Sequence, residues 1–275
     1  MSDRHDSNET KNADGARPAG APVGAPVGAS VDPDEIARFE ALADAWWDPD
    51  GPFRPLHKFN PVRLGFIRDR IATHFGRVII DTSPFAGLSL LDIGCGGGLV
   101  AEPMARLGAS VTGIDAAPRN IAIAQHHAAE SGLAIDYRAI TAEDLAATGT
   151  RFDIVLSLEI VEHVADLDSF LGACCTLAKP DGLMIVATLN RTAKAFALAV
   201  VGAEYVLRWL PRGTHNWRKF VRPSELSRGL ALHGAKIEQL AGVAYNPLTD
   251  RWRIGTDLDV NYMAVVRPAA ARDAA

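Results

Sequence analysis

Cysteine is scarce in this chain: Cys95 stands alone, Cys174 and Cys175 are neighbours, and 275 residues hold no C-x-x-C pair and no Cys/His metal spacing. A disulfide framework is excluded, and a reduced, cytoplasmic setting is expected. Missing too is any uninterrupted run of about 18 apolar residues, so no segment is expected to span a bilayer. The first 30 residues have no apolar centre of the kind a secretory signal needs. Positive charge is not in excess either. With 28 Lys and Arg against 33 Asp and Glu the net charge is −5, and no nucleic-acid partner is expected.

What the chain does have is apolar content, 48%, enough for a full core in one large domain. Residues 1–31 are small and polar, rich in Ala, Gly, Pro and Asn, and read as a disordered tail, as do residues 269–275. The folded domain is expected over 32–268.

That domain is organised around Leu90-Leu91-Asp92-Ile93-Gly94-Cys95-Gly96-Gly97-Gly98, where an apolar run ends in an acid and then in glycines spaced G-x-G-x-G. A strand, a tight turn and a helix N-terminus are expected, the arrangement that cradles nucleotide-like ligands. A dinucleotide fingerprint reads G-x-G-x-x-G. Its sixth position here is Leu99, which disfavours a pyrophosphate ligand and with it a nicotinamide dehydrogenase. Ser110 to Asp115 reads as a second strand ending in an acid, placed to accept hydrogen bonds from ribose hydroxyls. In this order the two segments resemble the S-adenosylmethionine-dependent methyltransferases, whose Rossmann-like sheet has seven mostly parallel strands with helices on both faces. The alternation of strands and helices from 90 to 188 agrees with a doubly wound α/β sheet.

Further helices are expected over 34–43, 62–75, 120–132, 169–177 and 224–233, further strands over 134–139, 152–158 and 183–188, and antiparallel closing strands over 234–243 and 259–266. Thr141 to Leu145 reads as a turn; in the methyltransferase fold this turn approaches the adenine, which makes Glu143 a candidate. Trp46 and Trp47 lie in a Pro/Gly loop that either anchors the N-terminal arm or walls a pocket. Arg63, just inside the helix expected at 62, is a cation at the unfavourable end of a helix dipole. That misfit suggests a partner anion such as the carboxylate of a methionine moiety.

Glu159, Glu162 and His163 follow the fourth strand, and on a helix they would share one face. Two oxygen donors and one nitrogen suit Mg²⁺ or another divalent cation. Methyl transfer to a phenol needs the phenolate, and a cation at the phenol oxygen lowers a pKa that is otherwise near 10. Alternatively His163 acts alone as general base, or the two acids cap a helix while His163 packs. Residues 193–220 form an apolar, helix-compatible run followed by a basic and aromatic loop. They are covered by the N-terminal arm, close over a lipophilic substrate, or meet an anionic membrane surface.

Several segments together resemble the ubiquinone-biosynthesis O-methyltransferases over about 32–267: Phe39 to Ala43 through Trp46-Trp47-Asp48, Pro55-Leu56-His57, Asn60 to Arg63, the glycine strand, Glu159 to Val164, Thr188 to Arg191, Val200 to Tyr205, Gly213-Thr214-His215 and Asp259 to Met263. The resemblance implies transfer of methyl to catechol-type hydroxyls of polyprenylated precursors. It implies that Arg63, Gly94, Gly96, Asp115 and Leu158 contact S-adenosylmethionine and that Glu159, Glu162 and His163 hold the cation. It favours a peripheral membrane contact through 193–220 and docking to other ubiquinone-synthesis proteins. Activity on another small aromatic, or a non-catalytic scaffold that binds S-adenosylmethionine, are the alternatives.

Overall fold

The computed structural model describes residues 30–198, 216–246 and 249–268. The expected tail at 269–275 and nearly all of that at 1–31 lie outside the described residues. Ser30 does not belong to a tail: it is buried, and its carbonyl accepts from the Ala165 amide at 2.7 Å.

Helix α1 (Pro33–Leu42) starts on an Asp32 cap that accepts from the Asp34 amide, with proline at the first helical position. A long helix α2 (Arg54–Phe75) follows and stops at Gly76 in the left-handed conformation. It begins well before the expected residue 62. Pro61 sits inside it. Proline there costs the one bond its amide would make to His57, and buried Phe59, Ile67 and Ile71 hold the two halves to the core.

The sheet then forms from β1 (Ser89–Ile93), β2 (Ser110–Asp115), β3 (Asp136–Ala139), β4 (Phe152–Leu158), β5 (Ala178–Leu189), β6 (Lys236–Asn246), β7 (Arg251–Gly255) and β8 (Asn261–Arg267). Its order is β3-β2-β1-β4-β5-β8-β6-β7. The first five are parallel, and β8, β6 and β7 complete the sheet antiparallel. The expected strands are present, and β7 adds an eighth at the edge. Helices α3 (Ala101–Arg106), α4 (Pro118–Glu130), α5 (Ala142–Ala147), α6 (Leu167–Leu177) and α8 (Pro223–Leu232) cover the faces, and a single turn, α7 (Ala193–Ala195), follows β5. The expected turn at 141–145 is instead the start of α5, because the Thr141 hydroxyl accepts from the Asp144 amide and nucleates a helix. Of the helix expected from 193 onward only its first residues are described; 199–215 lie outside.

Alternation along the strands builds two cores. Leu90, Ile154, Leu156 and Ile185 pack on the face that carries α2 and α4, while Leu91, Val155, Met184 and Val186 pack on the face that carries α6 and α8. The chain reverses direction across the sheet between β1 and β4, so a crevice opens at their carboxyl ends.

Candidate active site

The crevice is a cavity of about 680 Å³. That lies within the roughly 300–1,000 Å³ of small-ligand sites. Ten of the residues singled out in the sequence line it, Arg63, Gly94, Gly96, Glu143, Asp115, Leu158, Glu159, Glu162, His163 and Trp46, whereas Trp47 does not.

Gly94 and Gly96 have φ of 69° and 52°, the left-handed region in which a Cβ is strained. Space matters as well. A Cβ on Gly94 would strike Ile160, and one on Gly96 would strike the Trp46 ring. The bare loop therefore serves the N-terminal arm as well as a ligand. Trp46 stacks on Phe53 with centroids 3.8 Å apart, and its Nε1 donates to Asn120 Oδ1 at 2.9 Å. Trp47 Nε1 donates to the Gly97 carbonyl at 2.9 Å and its ring stacks on His127. Both expected roles of the tryptophan pair are present: Trp47 anchors the arm, and Trp46 is also cavity wall.

Asp115 accepts from the Gly96 amide at 2.9 Å and the Ala117 amide at 2.8 Å, with Asn120 Nδ2 at 3.3 Å. Burial raises its pKa against the pull of those donors. Asn120 thus joins the acid to Trp46, a role invisible in sequence because an asparagine early in a helix reads as ordinary surface.

Arg63 is buried in the middle of α2, so the dipole argument for it does not apply. Its Nε and Nη2 donate to Asn60 Oδ1 at 3.2 and 2.8 Å, while Asn60 Nδ2 donates to the Leu99 carbonyl at 2.7 Å. Its charge is balanced by Glu159 and Asp92. An asparagine–arginine pair on one helix face fixes the guanidinium beside the glycine loop. Glu143, at the cavity, has both carboxylate oxygens buried without a partner among the described residues.

Residues 159–164 do not form a helix, so the convergence of these side chains is not that of a helix face. Glu159 leaves β4 with φ of 58° and a turn over 161–163 follows. A left-handed φ on a non-glycine residue is a local strain the surrounding fold must hold. The turn still brings the carboxyls of Glu159 and Glu162 together. Thr188 Oγ1 donates to Glu162 Oε2 at 2.8 Å, and Glu162 Oε1 finds no donor. Burial raises both pKa values, Arg63 opposing at Glu159 and the Glu159 charge adding at Glu162. His163 does not join them as a third ligand. Its Nδ1 lies 3.1 Å from Glu35 Oε2 of α1, and the Phe39 ring packs edge-on against it. Glu35 went unnoticed in the sequence, where it is one more acid in a first helical turn. Among the described residues no three His, Cys, Asp or Glu side chains are set to hold a metal ion.

Comparison with known proteins decides the family. A methyltransferase-domain model matches residues 91–186, β1 through most of β5. The ubiquinone biosynthesis O-methyltransferase of Chelativorans sp. strain BNC1 is 60% identical over 242 residues, 88% of this chain and 96% of the relative. The same-named protein of Parvibaculum lavamentivorans is 58% identical over 240 residues, 87% of this chain and 95% of the relative. The chain belongs to the ubiquinone biosynthesis O-methyltransferases. Solved structures agree on the fold. Magnesium protoporphyrin IX methyltransferase from Synechocystis superposes with a TM-score of 0.56 at 18% identity, over 85% of this chain and 92% of that one. An S-adenosylmethionine-dependent methyltransferase from Clostridium acetobutylicum gives 0.54 at 12% identity, over 85% and 99%. Within the family's fold, the arm carrying Glu35, Trp46 and Trp47 is what closes this cavity.

Proposed function

We propose that this ubiquinone biosynthesis O-methyltransferase moves the methyl group of S-adenosylmethionine to catechol-type hydroxyls of polyprenylated ubiquinone precursors. The observation that carries the reading is one cavity lined by a glycine loop, a ribose-type acid and a pair of buried carboxyls beside an imidazole. S-adenosylmethionine supplies an electrophilic methyl on a positive sulfur. Gly94 and Gly96 let the backbone approach it, Asp115 offers a carboxylate to the ribose, and Arg63 offers a guanidinium to the amino-acid carboxylate. Leu158 and Trp46 wall the cavity and exclude water.

The acceptor hydroxyl must lose its proton before it attacks carbon, and the S–CH₃ bond breaks as the oxygen–carbon bond forms, the electron pair leaving with sulfur. His163 is the ring base at hand, Glu35 holding one of its nitrogens. The residues also fit a divalent cation such as Mg²⁺ in part. Glu159 and the partnerless Glu162 Oε1 form an oxygen pair whose mutual repulsion a cation relieves, and the chemistry it would supply is a lower pKa for the hydroxyl.

A surface role for residues 193–220 is supported by Phe196 and Leu198, which are 45% and 55% exposed where the described chain breaks off. A substrate with a polyprenyl tail would be met at a membrane surface. No helix among the described residues is long and apolar enough to cross one.

The test is transfer of labelled methyl to a short-tailed 3,4-dihydroxy-5-polyprenylbenzoate or demethylubiquinol analogue, with Mg²⁺, with chelator, and in Glu162→Ala. Activity lost in both chelator and variant is the expected result. Activity indifferent to chelator removes the cation and leaves His163 as the base. No transfer overturns the reading in favour of another acceptor or a scaffold.

A further inference from the structure

The arm does more than cover the cavity. Glu35 and His163 come from points 128 residues apart, each side chain is only 15% exposed, and they meet at 3.1 Å. Phe39, one turn further along α1, packs on the same imidazole with centroids 5.4 Å apart and planes at 86°. Residues four apart on a helix share a face, so one face of α1 grips one ring from two sides. The helix is pinned where it does so: the Ser30 carbonyl accepts from Ala165 at 2.7 Å, and Lys219 Nζ donates to Asp32 at 2.9 Å. A carboxylate can only accept, so the nitrogen facing Glu35 must carry the proton.

We propose that Glu35 is a positioning residue for His163, fixing its proton on Nδ1 and leaving the lone pair of Nε2 as the one offered to the cavity. The proposal rests on the methyl-transfer reading of the site and deepens it: to take the proton of the acceptor hydroxyl, Nε2 must be the unprotonated nitrogen. Carboxylates that orient a working histidine in this way set its tautomer and ring orientation. Because Glu35 lies on the arm, the imidazole is set only when α1 is docked, and the arm becomes a part of the catalytic apparatus.

The experiment compares the full-length protein with Glu35→Gln and Glu35→Ala. Two readouts are taken: steady-state kinetics with the short-tailed catechol, and nitrogen NMR of ¹⁵N-histidine-labelled protein with S-adenosylhomocysteine and no acceptor. Expected is a fall in kcat of roughly 10–100-fold in both variants, the size seen when such orienting groups are removed. KM for S-adenosylmethionine should stay within about twofold, since Glu35 adds nothing to its binding. In the wild type His163 should show the Nδ1–H tautomer, and in the variants a mixture. Should Glu35→Ala fail to fold, the isosteric Glu35→Gln carries the test. Unchanged kcat in a folded variant overturns the proposal, as does an Nε2–H tautomer in the wild type. A wild type that methylates no catechol defeats the methyl-transfer reading instead, and the tautomer, read without acceptor, still decides the pairing.

Discussion

Asp92, at the carboxyl end of β1, is pushed up to about 7 by burial, with Arg63 pulling the other way and Asp115 adding to the rise. Its unfolded value is near 3.8, so the fold favours the protonated form. The stability this contributes is complete below about pH 4 and is lost as pH rises through 7. The loss is on the order of 4 kcal/mol for a shift of this size. The melting temperature of the ligand-free protein should therefore fall between pH 5 and 8, and Asp92→Asn should flatten that slope. A slope unchanged in the variant would assign the effect elsewhere. Asp115 makes a second expectation at this scale. In Asp115→Ala, calorimetry should show S-adenosylmethionine binding weakened about 10–100-fold, as for loss of hydrogen bonds to one charged acceptor. The kcat at saturating cofactor should move far less. These two acids were legible in the sequence because each ends an apolar strand at a turn. Glu35 and Asn120 were not, since their work depends on partners 128 and 74 residues away.

Elements were legible where one local rule governs them. The strand at 152–158 was read to the residue, because a buried parallel strand is a continuous apolar run. Helix α2 was expected only from 62, but it starts at Arg54 and runs through Pro61, whose lost hydrogen bond tertiary packing outweighs. The segment at 159–164 misled differently: its i, i+3, i+4 spacing suits a helix, yet the strand's exit at φ 58° makes a turn that reaches the same convergence of Glu159 and Glu162. The arm is the element with most to lose from one substitution. Trp46→Ala removes the Phe53 stack, the Asn120 hydrogen bond and the cover over Gly96. It should cost roughly 3–5 kcal/mol if the arm melts with the domain. Limited proteolysis should then cut within 30–53 first. Cleavage no faster than in the wild type would mean that Trp47 and α1 hold the arm without it.

At the scale of the whole molecule, the doubly wound parallel sheet and the ligand edge at its carboxyl ends follow from the alternation of elements and could be read in advance; the strand order and the closing β7 could not, since β7 is short and exposed. Phe196 and Leu198 lead toward the substrate's lipid tail in the proposed function. Phe196→Ser should reduce sedimentation with anionic vesicles and slow methylation of long-tailed acceptors, leaving short-tailed, soluble acceptors unaffected. Equal loss on both acceptors would make the segment part of the cavity instead.

The arm's partners also fix when in its life the enzyme can work. Asp32 meets Lys219 across 187 residues, so this clasp of the arm waits on a residue far along the chain, after its seats at Gly97, Asn120 and His163 have already been made. Pairings of such long separation form late, after the sheet has condensed. Refolding should accordingly run in two phases, with secondary structure returning first and methyl transfer lagging behind it by the time the arm takes to find its place.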